Sequence, residues 1–150
     1  MPSRRTLVVV DDDGDHVSLM TGSLEQGGYQ VVSFGSGDAL IEWASAGEHP
    51  VDAVVLDVDM PGRDGYESCR ALRALQGYGS TPTVFVSSST REDIWDRVVS
   101  AGGNHFIPKG AEMVSGLRTW LSSELRGPLR AETTSPCGEL RAEEVSLTAE

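Results

Sequence analysis

The chain has 150 residues and a formal net charge of -11, enough for one domain with a real core and too short for two of ordinary size. The acidity argues against nucleic acid as a direct partner, because phosphate binding needs a basic surface, and no apolar run reaches the length of a membrane span. Cys69 and Cys137 have neither metal-site spacing nor the numbers of a disulfide framework, so a reducing compartment is expected.

The N-terminal MPSRRTLVVVDDD has too short an apolar stretch for a signal peptide, and a cytoplasmic location follows as an expectation. Leu7 to Val10 is a continuous β-branched run, the pattern of a strand buried on both faces. It ends in Asp11, Asp12 and Asp13. Val17, Met20 and Leu24 then recur at helical spacing behind an expected Asp15 cap, and Gly27-Gly28 stops that helix. Gln30 to Phe34 reads as a second strand. Ser36, Gly37 and Asp38 open a second helix holding Leu40, Ile41 and Trp43, closed near Gly47 to Pro50.

In the third strand an apolar run, Ala53 to Leu56, delivers Asp57 to its end, and the Pro61-Gly62 and Asp64-Gly65 turns force a sharp exit. A third helix from Gly65 places Tyr66, Cys69, Leu72 and Leu75 on one side, where Cys69 reads as core. Pro82 starts a fourth strand, Thr83 to Val86, followed by Ser87, Ser88 and Ser89. A fourth helix is expected from about Arg91, with Ile94, Trp95, Val98 and Val99 apolar, ended by Gly102-Gly103. Residues 104 to 107 form a fifth strand, closed by Pro108 and Lys109. A last helix from about Ala111 to Leu125 has Met113, Leu117, Trp120 and Leu121 as its inner face. His16, His49 and His105 share no spacing and read as surface or loop residues.

Five strand-then-helix units predict an α/β doubly wound fold: a five-stranded parallel sheet with right-handed crossovers and five helices on its two faces. After Gly127 the chain is poor in aromatics, with two Arg against five Glu, and is expected to be a flexible acidic tail over residues 127–150.

The chemistry emerges when the strand ends are taken together. In a parallel sheet every carboxyl end lies on one edge, so Asp11, Asp12, Asp57, Ser87 and Lys109 converge there. Clustered carboxylates raise one another's pKa unless a cation relieves them. A hard divalent cation bound through oxygens, Mg²⁺ above all, suits such a site. The same ion would offset the charge of an incoming phosphoryl group, with Lys109 as a second positive charge and Ser87 as a hydrogen-bond donor. Asp57 is left as the nucleophile, its carboxylate attacking phosphorus to give an acyl phosphate.

VVVDD at the first strand, LDVDMPGRDG around Asp57, Ser87, the aromatic Phe106 and Lys109 come in an order and spacing that resemble the receiver domain of bacterial two-component response regulators. The resemblance covers about residues 5 to 125, in that family's flavodoxin-like order, and sets a receiver domain over residues 1–126. It implies that Asp57 accepts phosphoryl from a sensor histidine kinase or a histidine phosphotransfer protein. It further implies that Asp12, Asp57 and the backbone carbonyl of Asp59 ligate Mg²⁺, with Asp11 holding a metal-bound water. Ser87 and Phe106 would be the switch pair reporting to the face of helix four, strand five and helix five, where a downstream protein or a second copy in a homodimer would dock. Beyond its own phosphorylation and dephosphorylation, no enzymatic activity is expected.

Alternatives stay open on the residues alone. Asp13 can take the place of Asp11 in the acid pair, and Ser88 or Ser89 that of Ser87. Pro108 precedes Lys109 where the family more often has proline after it, which leaves the shape of that loop undecided. Asp59 and Ser89 sit two residues beyond the acceptor and the switch hydroxyl, positions that in this family influence how long the acyl phosphate lasts. A degenerate receiver acting as an unphosphorylated interaction module is a second reading. A Mg²⁺-dependent aspartyl-phosphate phosphatase is a third, although such enzymes place their acid pair after the first strand of the sheet.

Overall fold

The computed structural model describes residues 4–89 and 91–125. The acidic tail expected over 127–150 lies outside them. Five strands, β1 (Thr6–Val10), β2 (Gln30–Phe34), β3 (Ala53–Asp57), β4 (Thr83–Ser87) and β5 (His105–Pro108), alternate with α1 (Gly14–Gln26), α2 (Gly37–Ser45), α3 (Gly65–Arg73), α4 (Ile94–Ser100) and α5 (Met113–Glu124). All pairings are parallel, in the order β2-β1-β3-β4-β5. The chain therefore steps outward from β1 in one direction, then crosses back to build the other half.

The period-two alternation of side chains along a strand divides the core between the two faces of the sheet. Leu7, Val9, Val55, Val84 and Val86 pack with Met20 and Leu24 of α1 and with Met113, Leu117 and Leu121 of α5. Val8, Val10, Val54, Leu56 and Phe85 pack on the opposite side with α2, α3 and α4 through Leu40, Cys69, Leu72 and Val98. β3 and β4 are buried along their whole length. At about 1.5–3 kcal/mol for each fully buried aliphatic side chain, these two strands fix the register of everything at their ends.

Local signals set the helix ends. Asp13, rather than Asp15, caps α1, accepting hydrogen bonds from the Asp15 and His16 amides. The cap falls two residues earlier because Gly14 can enter the helix as its first residue. Ser36 caps α2, and Asp64 and Glu67 form a reciprocal capping box on α3. α4 starts at Ile94 rather than Arg91 and has no side-chain cap. Arg91 instead pairs with Asp93 at 2.9 Å ahead of the first turn. In that helix Ile94 and Val98 are buried, whereas Trp95 is 48% and Val99 68% exposed.

Candidate functional site

The sheet register brings the expected residues together. Val10 of β1 pairs with Leu56, so Asp11 follows beside Asp57. Asp57 pairs with Val86 and Ser87 with Pro108. Three backbone bonds extend the sheet past its strands at the carboxyl edge: Lys109 N–H donates to Ser87 O at 2.9 Å, Val58 N–H to Val86 O at 3.0 Å, and Asp11 N–H to Phe34 O at 3.2 Å. Pro108 closes β5, and no peptide bond among the described residues is cis. With the backbone of Lys109 held in this way, its side chain returns over the carboxyl edge.

There Lys109 Nζ lies 3.1 Å from Asp57 Oδ1 and 3.1 Å from Asp11 Oδ2. Both carboxylates are buried, 2% and 1% exposed. Burial, and after it the Asp11 charge, pushes the Asp57 carboxyl from 3.8 up to about 6, while Lys109 pulls the other way. Burial acts to lower the Lys109 ammonium, but Asp57 and Asp11 together outweigh it and hold it above its ordinary value. Lys109 is therefore charged at neutral pH, and Asp57 close to its titration.

Carboxylate oxygens of Asp11, Asp12 and Asp57 lie within 4.8 Å of one another. Asp11 Oδ1 accepts from the Asp13 amide at 2.9 Å, whereas Asp11 Oδ2 is buried with no hydrogen bond aligned onto it. A buried carboxylate oxygen that accepts no aligned hydrogen bond and whose neighbour is the Lys109 ammonium at 3.1 Å, facing two more carboxylates, is a donor set for a hard cation, so the residues fit a divalent metal. Asp13 spends its carboxylate on the α1 cap, and it is Asp11 that joins the cluster.

Ser87 is fully buried. Its hydroxyl donates to Asp59 Oδ2 at 3.3 Å and accepts from the Ser89 amide at 3.0 Å, so Ser87 occupies the strand-end position that Ser88 and Ser89 do not. Asp59 is exposed. Phe106 is half-buried, packed on the α2–α3–α4 side of the core, and meets Trp95 edge-on with centroids 6.0 Å apart. His105 lies between Trp95 at 5.5 Å and Trp120 at 5.8 Å, stacked on the latter. These contacts join α4, β5 and α5 in one aromatic row.

Sequence reasoning missed His16. Its Nδ1 lies 3.3 Å from Lys109 Nζ and 3.7 Å from Asp11 Oδ2. The signal lay in its place in the first turn of α1, directly beyond the acid run, which aims its side chain at the same edge.

An open parallel sheet of this strand order, with its polar site at the carboxyl edge, defines the class: a flavodoxin-like α/β domain. The model of the response regulator receiver domain matches residues 7–118, and the chain belongs to that family, the receiver domains of two-component signalling. The transcriptional regulatory protein TcrA of Mycobacterium tuberculosis is 28% identical over 137 residues, 90% of this chain and 52% of its own length. The virulence sensor protein BvgS of Bordetella bronchiseptica is 36% identical over 101 residues, 64% of this chain and 8% of the sensor. The chain thus spans about half the length of the first curated relative or less. A putative response regulator from Chloroflexus aurantiacus superposes with a TM-score of 0.74 at 25% identity, covering 82% of this chain and 98% of that one. The receiver domain of a sensor histidine kinase from Pseudomonas aeruginosa, solved with a magnesium ion in its active-site cleft, gives 0.74 at 20% identity, covering 83% and 100%. Among the described residues no helix is long and apolar enough to cross a membrane.

Proposed function

We propose that Asp57 is the phosphoacceptor of this receiver domain, taking its phosphoryl group from a phosphohistidine on a sensor histidine kinase or a histidine phosphotransfer protein. The observation that carries the reading is the buried Asp57 carboxylate, 3.1 Å from the Lys109 ammonium and within 4.8 Å of two further carboxylates. An Asp57 oxygen forms the new O–P bond as the N–P bond of the donor breaks, and the donor imidazole leaves with the bonding pair and takes up a proton. Lys109 stays charged and supplies a positive partner for the phosphoryl oxygens. Ser87 turns its hydroxyl from Asp59 toward the bound group, and Phe106 repacks against α4.

Asp11, Asp12, Asp57 and the backbone carbonyl of Asp59 would hold Mg²⁺, Asp11 through a water. When bound, that ion supplies electrophilic stabilisation of charge on the transferred group. The magnesium ion in the similar Pseudomonas aeruginosa receiver supports this reading, as does the cluster of carboxylate oxygens from Asp11, Asp12 and Asp57.

The domain is assigned to residues 1–126 with an acidic tail at 127–150, and a cytoplasmic site of action follows from a cytoplasmic phosphodonor. Its output is a protein contact on the α4–β5–α5 face, made with a downstream partner or a second copy, and its only chemistry is its own phosphorylation and dephosphorylation. The exposed Trp95 and Val99 support that choice of face.

Intact mass after incubation with acetyl phosphate and Mg²⁺, with and without chelator, tests the assignment. A metal-dependent gain of about 80 Da, absent in Asp57→Asn, is the expected result for transfer of one phosphoryl group. No gain in the wild type, from acetyl phosphate or from a phosphorylated histidine kinase, would return the chain to the unphosphorylated interaction module.

A further inference from the structure

The Lys109 ammonium has three N–H donors, and three acceptor atoms lie around it: Asp57 Oδ1 and Asp11 Oδ2 at 3.1 Å and His16 Nδ1 at 3.3 Å. The two carboxylates fix the charge of the ammonium. They do not fully fix its direction, because no hydrogen bond is aligned onto Asp11 Oδ2. The contact to His16 meets hydrogen-bond geometry. It comes from a different element, the first turn of α1, whose backbone at His16 is tethered by the Asp13 cap at 3.4 Å. His16 is thus held on one side by the cap and reaches Lys109 on the other.

We propose that His16 is a positioning residue for Lys109: its Nδ1, in the tautomer that carries its proton on Nε2, accepts one ammonium proton and keeps a second aimed at Asp57. The alternative tautomer, with a proton on Nδ1 donating to Asp11 or Asp13, competes poorly. Those oxygens are farther, at 3.7 and 3.5 Å, and the proton would face the ammonium. A neutral acceptor suits the place, because a third carboxylate would add to the charge that already raises Asp57. On transfer, the N–H aimed at Asp57 turns its hydrogen bond to a phosphoryl oxygen, with the proton kept on Lys109, while His16 and Asp11 keep their hold on the ammonium. Without His16 the proton it accepts faces water, and the ammonium gains rotational freedom it must lose before each transfer.

This inference rests on the reading of Asp57 as acceptor, and the test separates the two. The initial rate of phosphoryl uptake from acetyl phosphate at saturating Mg²⁺ is compared for wild type, His16→Ala and His16→Asn, each checked for native circular dichroism. Asparagine places a carbonyl oxygen where Nδ1 stands. Loss of one charge-assisted hydrogen bond predicts a rate lower by roughly three- to tenfold in His16→Ala, with His16→Asn within about twofold of wild type. Imidazole ¹⁵N spectra of the metal-free wild type at mildly alkaline pH should show the proton on Nε2 and a bare, hydrogen-bonded Nδ1.

An unchanged rate in His16→Ala, a rate in His16→Asn as low as in His16→Ala, or a proton on Nδ1 would each overturn the inference while leaving Asp57 as acceptor. A wild type that takes no phosphoryl group from any donor overturns the reading beneath it. The tautomer then still decides whether His16 holds Lys109.

Discussion

Gly65, the first residue of α3, lies directly against the backbone carbonyl of Asp57, so a Cβ at that position would meet the Asp57 carbonyl oxygen and come within 2.9 Å of Val58 Cα. The contact is locked by Gly65 N–H donating to Val58 O at 2.9 Å. The turn that leaves β3 is thereby folded back onto the strand that carries Asp57, and only glycine fits between them.

Gly65→Ala should therefore disturb the site as well as the fold, because backbone and not a flexible side chain must move. Overpacking of this kind costs about 1–3 kcal/mol. Urea denaturation should show that loss, and phosphoryl uptake should fall by more than tenfold, since displacements near 1 Å at a reacting centre cost about a hundredfold. A variant of normal stability and normal rate would show that the turn can move without Asp57.

The pH dependence of the metal-free protein follows from Asp57. Its folded pKa, about 6, stands above the ordinary 3.8, so the native state holds the proton more tightly than the unfolded chain. Its contribution is fully present below about pH 4 and is lost as pH rises through about 6. A shift of this size corresponds to at most about 3 kcal/mol. Asp57→Asn removes the buried charge while Lys109 keeps Asp11 and His16. With chelator at pH 7 it should be more stable than wild type by about 1–3 kcal/mol, with a flatter stability profile between pH 4 and 7. Equal or lower stability in urea melts would contradict the burial argument.

Most of the fold was legible because β1, β3 and β4 carry apolar runs that end in acid or hydroxyl residues and the helices between them are stopped by glycine or proline, and the two core faces follow from simple alternation along Leu7 to Val10. The convergence of Asp11, Asp57 and Lys109 was legible because parallel strands share an edge. What was not legible depends on side-chain direction in three dimensions. The capping role of Asp13 required knowing that Gly14 enters the helix. The contact of His16 with Lys109 spans 93 positions; the place of His16 just beyond the acid run hints at the edge it faces, but not at the side chain it meets there. The tie between Ser87 and Asp59 crosses from one strand end to the loop after another, which no periodicity reaches.

The division of labour among the three consecutive acids can be tested by metal binding. Asp12 is exposed and contributes an oxygen to the cluster, whereas Asp13 is the α1 cap. Mg²⁺ should raise the melting temperature of the wild type, since a ligand at a hundred times its Kd stabilises by about 2.7 kcal/mol. Asp12→Asn should abolish that rise. Asp13→Asn, which keeps a capping side chain, should retain it. The reverse pattern in thermal melts with and without chelator would move the acid pair to Asp12 and Asp13.

At the opposite edge of the sheet Arg73 separates stability from chemistry. Its guanidinium donates to Gly102 O at 2.7 and 3.0 Å, to Tyr78 O at 2.9 Å, to Asn104 Oδ1 at 3.2 Å and to Thr83 Oγ1 at 3.3 Å, tying α3 to the end of α4 and to the starts of β4 and β5. Arg73→Met keeps the aliphatic packing and leaves these acceptors unpaired. Each lost hydrogen bond from a charged donor is worth about 1.5–3 kcal/mol and partial hydration returns some of it, so a net loss of about 2–4 kcal/mol is expected in urea. Arg73 touches no residue of the Asp57 site, so phosphoryl uptake by the folded variant should stay within about twofold of wild type, a change of under half a kcal/mol in barrier. A folded Arg73→Met protein with a severely slowed rate would mean that the amino edge of the sheet is coupled to Asp57, the direct route being α3, which runs from Gly65 beside Asp57 to Arg73.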